Sequence, residues 1–131
     1  MNRSFKGAVP KAFRGRRVRK PWGHEWIWGA APRYAGKILH VKSGEALSWQ
    51  YHQDKDETIC VLTGSVQLEI AASDNGPRKK IRLGPGKSFH IPPLLRHRII
   101  ALQDSDVLEA SSPELEDVVR LEDRYGRVNK R

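Results

Sequence analysis

From residue 37 onward, apolar side chains fall in short clusters divided by glycine, proline and polar turns. The first two clusters, KILHV (37–41) and ALSWQYH (46–52), are separated by Ser43-Gly44. ETICVL (57–62) and SVQLEIAA (65–72) flank Thr63-Gly64, which reads as a tight hairpin. In the second of these, Val66, Leu68 and Ile70 alternate with Gln67 and Glu69, the period of two of a strand with one buried face. A polar turn, SDNGPRKK (73–80), leads to IRL and then to a break at Gly84-Pro85-Gly86. SFHI (88–91), RHRIIAL (96–102) and DVLEAS (106–111) complete the set. Short strands at this density predict an all-β sandwich or barrel. The last segment, 112–127, has two readings: Ser112 and Pro113 open it like a helix, whereas VVRLE within it reads as a strand.

The chain has 131 residues, enough for one domain with a hydrophobic core. No apolar run approaches the ~20 residues of a membrane span, and no apolar segment follows the basic N-terminus as in a secretory signal. The lone Cys60 excludes an internal disulfide framework. These features lead to the expectation of a cytoplasmic protein with no membrane association. The net charge is +9, and residues 1–20 contribute eight of those charges with no acid among them. Residues 1–19 are therefore expected to be a basic, flexible arm, and 20–131 the folded domain. The arm reads either as a contact for nucleic acid or an acidic partner, or as a solvated tail. Phe13 is the only aromatic within its basic run KAFRGRRVRK (11–20), where single-strand binders interleave several, so the tail is favoured.

Candidate chemistry gathers around Gln50, His52, Glu57 and His97. On a strand, Gln50 and His52 share a face. Glu57 follows the polar turn QDKD, and it faces His52 if the two strands are neighbours. His97 opens a later strand after a proline-rich turn. Two imidazoles, a carboxylate and an amide oxygen suit a divalent first-row metal, with positions left for water or substrate. The competing reading is a surface or satisfied core histidine at each place.

Spacing strengthens the metal reading. Gly44 is followed by five residues, Gln50, one residue, His52, four residues, Glu57, six residues and Gly64. Gly86 is followed by five residues, Pro92, and then His97 five residues on. These intervals resemble the two motifs of the cupin family, with Gln50 at the usual first histidine, Leu94 at a usual glycine and Ala101 at a usual asparagine. Within the cupins, KPWG (20–23), the glutamine of LSWQYH, DVVR (117–120) and the tail EDRYGR are similar to type II mannose-6-phosphate isomerases. Those include the isomerase domain fused to mannose-1-phosphate guanylyltransferases. Lys55-Asp56-Glu57-Thr58 departs from that group's arginine-alanine-glutamate-histidine run.

The resemblance implies a cupin jelly-roll barrel, a double-stranded β-helix, in a stand-alone isomerase domain. It implies a homodimer, a role in carbohydrate metabolism or polysaccharide biosynthesis, and conversion of mannose 6-phosphate to fructose 6-phosphate. Gln50, His52, Glu57 and His97 would hold a divalent metal, zinc first, with manganese, cobalt, nickel or iron as alternatives. Lys55 and Glu109 are candidate bases, each weighed against a surface role, and Arg127 can close over the substrate. Lys37, His24, Arg96 and Arg98 are candidates for gripping the phosphorylated sugar. The tryptophans Trp22, Trp26 and Trp28 are read as packing rather than a sugar platform. Two other readings stand beside this one. One is a metal cupin of different chemistry, a dioxygenase or another sugar isomerase or epimerase. The other is a non-catalytic sugar-binding regulatory cupin.

Overall fold

A computed structural model describes residues 3–114 and 116–128. Eleven strands form two antiparallel sheets. In chain order they are β1 (Arg16–Lys20), β2 (Gly23–Ala31), β3 (Tyr34–Val41), β4 (Trp49–His52), β5 (Glu57–Thr63) and β6 (Val66–Ala71). There follow β7 (Lys79–Leu83), β8 (Ser88–Ile91), β9 (Arg96–Ala101), β10 (Ser105–Ser111) and β11 (Val118–Glu122). The larger sheet has the order β1-β2-β3-β10-β5-β8, and the smaller one β11-β4-β9-β6-β7. No helix occurs among the described residues, so none is long and apolar enough to cross a membrane. The all-β expectation holds, and residues 118–122 take the strand alternative.

The inner faces meet in a core of Leu39, Val41, Ile59, Val61, Val66, Leu68, Ile99 and Val107, all essentially inaccessible to solvent. β-Branched residues dominate this set, as the pleated and crowded interior of a sandwich favours. Trp22 joins the core, as expected of a packing residue. Trp28 does not: it is 51% exposed on the outer face, with its indole lying over Gly36. Cys60 also faces outward, half-buried, because Ile59 and Val61 on either side of it take the inner positions.

Three placements differ from the sequence expectation. Residues 16–19 of the expected arm belong to β1, which pairs antiparallel with β2 from Arg16↔Ile27 to Lys20↔Gly23. Thr63-Gly64 does not close a hairpin. It carries the chain from one sheet to the other, β5 pairing with β10 and β8 while β6 pairs with β9 and β7. Gly64 sits at that corner with φ 91°, and a Cβ there would lie 2.3 Å from Ser105 Oγ, so the crossing needs glycine. The turn at 53–56 likewise crosses between sheets, so β4 and β5 are not hydrogen-bonded neighbours, and His52 meets Glu57 across the sandwich rather than along a sheet.

Candidate metal centre and cavity

A cavity of about 90 Å³ opens between the sheets. The smaller sheet brings His97, Gln50 and Arg120 into one cross-strand row, since His97 pairs with Gln50 and Gln50 with Arg120. Cross-strand partners share a face, so all three side chains belong to the inner side. The larger sheet brings Glu57 from β5, Glu109 from β10 and Lys37 from β3. Alternation puts these polar groups on the same faces as the core residues, one layer along.

His52, Glu57 and His97 are buried and present one ligand-type atom each, all within 4.8 Å of one another. His97 Nε2 is 3.5 Å from Glu57 Oε1, and His52 Nε2 is 3.9 Å from the same oxygen. The outer ring nitrogens are engaged elsewhere. His52 Nδ1–H donates to the Asp117 carbonyl at 2.9 Å, and His97 Nδ1–H to the Leu95 carbonyl at 2.9 Å. Each backbone acceptor fixes the tautomer that leaves an Nε2 lone pair aimed inward, the arrangement metal-bound histidines use. Burial, reinforced by Lys55 and His97, pushes the His52 pKa down to about 4, so the ring is a neutral ligand at ordinary pH. Gln50 completes the set. Ser48 Oγ donates to its Oε1 at 2.5 Å, and its Nε2 lies 3.5 Å from His52 Nε2. A half-turn of the amide gives Oε1 to a cation and Nε2 to the Ser48 hydroxyl, with no change of shape. The donor set therefore fits a divalent metal.

Lys55 lies beside this group, 4% exposed, with Nζ 3.0 Å from Glu57 Oε2 and 2.9 Å from Glu109 Oε2. Burial alone would lower its pKa, but the two carboxylates outweigh burial and push it above the ordinary lysine value. Lys55 is thus an ammonium ion that clamps two carboxylates, which is not the neutral amine a base requires. The Glu109 carboxyl is pushed up, first by burial and then by the charge of Glu57. Lys37, 5% exposed, pairs with Glu25 at 3.4 Å and lines the cavity. Arg127 also lines it, held through Nε and Nη2 by both oxygens of Asp123 at 2.8 and 3.1 Å.

Three expected substrate contacts lie elsewhere. His24 is on the outer face of β2, stacked on His40 at 5.1 Å with Arg17 3.2 Å away, because Glu25 and Ile27 take the inward positions. Arg96 and Arg98 flank the inward His97 and so point outward. Arg96 pairs with Asp74 at 2.8 Å and covers the Tyr51 ring, while Arg98 pairs with Glu69 at 2.9 Å. In their place the cavity contains Lys20 and Arg120, which lie on the edge strands β1 and β11. The sequence reading missed Lys20 by assigning its neighbours to a flexible arm. It also missed Asp117, whose carboxylate accepts from the backbone N–H groups of Gln53, Asp54 and Lys55 at 3.3, 2.6 and 2.9 Å. That carboxylate shapes the QDKD turn while the residue's carbonyl orients His52. Its place in DVVR was the available signal.

The cupin domain model matches residues 37–110. Mannose-1-phosphate guanylyltransferase ManC of Salmonella typhimurium is 39% identical over 118 residues, which are 86% of this chain and 23% of that protein. Xanthan biosynthesis protein XanB of Xanthomonas campestris is 31% identical over 118 residues, again 86% of this chain and 24% of the relative. The chain thus spans about a quarter of the length of the curated relatives it matches. Among solved structures, the capsular polysaccharide assembling protein CapF of Staphylococcus aureus superimposes with a TM-score of 0.71 at 17% identity, over 86% of this chain and 35% of that one. At that identity the likeness concerns the fold alone.

Proposed function

This chain belongs to the cupin family, and on that footing we propose that it is a metal-dependent sugar-phosphate isomerase interconverting mannose 6-phosphate and fructose 6-phosphate. The observation that carries the reading is a buried carboxylate, Glu109, set beside a complete metal-type donor set without being part of it. Aldose–ketose isomerisation transfers a proton between two adjacent carbons, so it needs a base next to an electrophilic centre. The kinship with mannose-1-phosphate guanylyltransferases and a xanthan biosynthesis protein supports the choice of mannose phosphate over other sugars.

His52, Glu57, His97 and Gln50 would hold the cation. A divalent metal there supplies Lewis acidity toward the sugar's carbonyl and hydroxyl oxygens. Glu109 is the group that takes the proton from one sugar carbon and returns it to the next. Its raised pKa makes it a stronger base than an exposed carboxylate. Lys55 holds Glu109 and Glu57 in fixed relation and remains charged. The walls, Trp22, Leu39, Leu47 and Ile99, exclude bulk water from the reacting carbons.

The test is direct. The purified protein should contain close to one equivalent of a divalent metal by elemental analysis. It should also interconvert mannose 6-phosphate and fructose 6-phosphate, exchanging solvent deuterium into the transferred position. A metal-loaded protein with no turnover under zinc, manganese, cobalt and nickel would remove the isomerase reading. Turnover unaffected by Glu109→Gln would remove the assignment of the base.

A further inference from the structure

The strand that carries two of the four candidate donors depends on the edge of its sheet. β4 holds Gln50 and His52 within four residues. On one side it pairs with β9 at a single position, Gln50↔His97, and Leu94 N–H takes the His52 carbonyl at 2.8 Å. On the other side β11 runs along its whole length, with Val118 opposite His52, Val119 opposite Tyr51, Arg120 opposite Gln50 and Glu122 opposite Trp49. β11 is the outer strand of the smaller sheet and is only partly buried. An edge element of this kind opens at lower free energy than the core strands.

Asp117 stands at the head of β11 and holds two parts of the site at once. Its carbonyl accepts His52 Nδ1–H at 2.9 Å. Its carboxylate accepts the backbone N–H groups of Gln53, Asp54 and Lys55 at 3.3, 2.6 and 2.9 Å. The next N–H, that of Asp56, donates to Ser112 Oγ at 2.9 Å, and the Asp56 carbonyl accepts Ser112 N–H at 2.9 Å. Four successive amides of the turn are thus satisfied by two side chains, Asp117 and Ser112, that precede β11. The turn leads directly into Glu57, and Lys55 within it reaches Glu57 and Glu109. Its docking therefore sets the ring of one donor, the approach to a second and the ammonium between the two carboxylates.

We propose that Asp117 is a positioning residue for the metal centre and couples it to β11: a divalent cation binds more tightly while Asp117 is docked, and the bound cation in turn holds β11 on the sheet. The inference rests on a cation at His52, Glu57 and His97, and not on the reaction proposed above. Its physical ground is reciprocity. A contact that favours the cation-ready form of the site is strengthened by the same free energy when the cation binds. His52 is where the coupling acts. With Nδ1–H held by the Asp117 carbonyl, the ring presents its Nε2 lone pair in one direction, and release of that carbonyl frees the ring to turn or change tautomer. Asp117→Asn separates the two roles. It keeps the backbone carbonyl and the size of the side chain, but it sets an amide N–H group against the N–H donors of the turn.

The experiment titrates the full chain, freed of metal by a chelator, with zinc by calorimetry, and follows amide hydrogen exchange with and without zinc. Asp117→Asn should bind zinc about tenfold more weakly than wild type, the lower end of the loss that follows when a partner of a metal-bound histidine is disturbed. Asp117→Glu, which keeps the carboxylate on a longer arm, should recover part of that loss. Val66→Ala supplies the comparison. Val66 is fully buried at the far end of β6 from the Ile70↔His97 pair, so shortening it should lower the melting temperature yet leave zinc affinity within about twofold of wild type. In wild-type protein zinc should slow exchange in β11, and the slowing should shrink in Asp117→Asn. β7, the opposite edge of the same sheet, should exchange at the same rate with and without zinc. The inference is overturned if Asp117→Asn, folded by circular dichroism, binds zinc as wild type does, or if Val66→Ala loses as much affinity. It also fails if zinc leaves exchange in β11 unchanged. Loss of zinc in His52→Ala beside wild-type affinity in Asp117→Asn would keep the donor set and remove the coupling, whereas wild-type protein that binds no zinc would remove both.

Discussion

His52 and His97 face each other from neighbouring strands of the smaller sheet with ring centroids 5.4 Å apart, and both turn Nε2 toward Glu57 Oε1. Each is oriented by a single backbone carbonyl. Replacing either ring with alanine removes one strong donor and leaves the other two unable to close around a cation. His52→Ala and His97→Ala should each lower metal affinity at least about 100-fold. Elemental analysis after gel filtration reads the loss, and stoichiometric metal in both variants would show that the ion sits elsewhere.

The clamp formed by Lys55 yields a second expectation. Lys55→Met leaves Glu57 and Glu109 buried without their counter-charge, at a cost of about 3–5 kcal/mol. Adding Glu109→Gln removes one of the two orphaned charges, so the double variant should recover a large part of that stability. Urea unfolding measures both. If Lys55 were a solvated surface charge, Lys55→Met would shift the midpoint very little.

Leu94 is the one described non-glycine residue with positive φ, at 71°, and its N–H donates to the His52 carbonyl at 2.8 Å. It stands where the cupin motif has glycine, and the turn keeps the glycine conformation despite the side chain. That conformation costs an L-residue ~1–2 kcal/mol, and Leu94 is 53% exposed, so it recovers little by packing. Leu94→Gly should therefore stabilise the protein by about 0.5–1 kcal/mol after the added chain entropy of glycine. A thermal melt that moves downward would contradict the strain.

Acid should destabilise the metal-free protein over a defined range. The His52 pKa is about 4 in the fold, below the ordinary 6.5, so the unfolded chain binds the proton first. The associated stability is complete above pH 6.5 and is lost as pH falls through about 4, a change of about 3 kcal/mol. Asp117 acts in the same sense at lower pH. Although partial burial opposes it, the three backbone N–H groups hold its carboxyl below the usual value, so its contribution fades below about pH 4. Melts of chelator-treated protein at pH 7, 5.5 and 4.5 should fall in that order. Saturating metal should flatten the upper part of the curve by holding His52 neutral.

Much of this protein is legible in one dimension. Short apolar clusters bounded by glycine, proline and polar turns mark eight of the strands, one of them with clear period-two alternation, because burying one face of a sheet is a local requirement. The candidate donors are legible too, since the intervals from Gly44 to Gly64 and from Gly86 to His97 resemble the two cupin motifs and so single out Gln50, His52, Glu57 and His97. The same alternation even excludes Arg96 and Arg98 from the cavity once His97 faces inward, an inference available from sequence alone. Other features depend on which strands become neighbours, which loop closure and core packing decide at long range. The turn at 53–56 sends β4 and β5 to different sheets, as the corner at Gly64 does β5 and β6, so Glu57 reaches His52 across the sandwich. The carboxylates of Glu57 and Glu109 converge on Lys55 and convert a residue of a charged turn into a buried ammonium. The pairing of β1 with β2 draws Lys20 out of an apparent tail and sets it opposite Arg120. Sequence determined which residues could face inward; only the tertiary structure decided which of them face each other, because charge and metal chemistry act through distances that the chain does not encode locally.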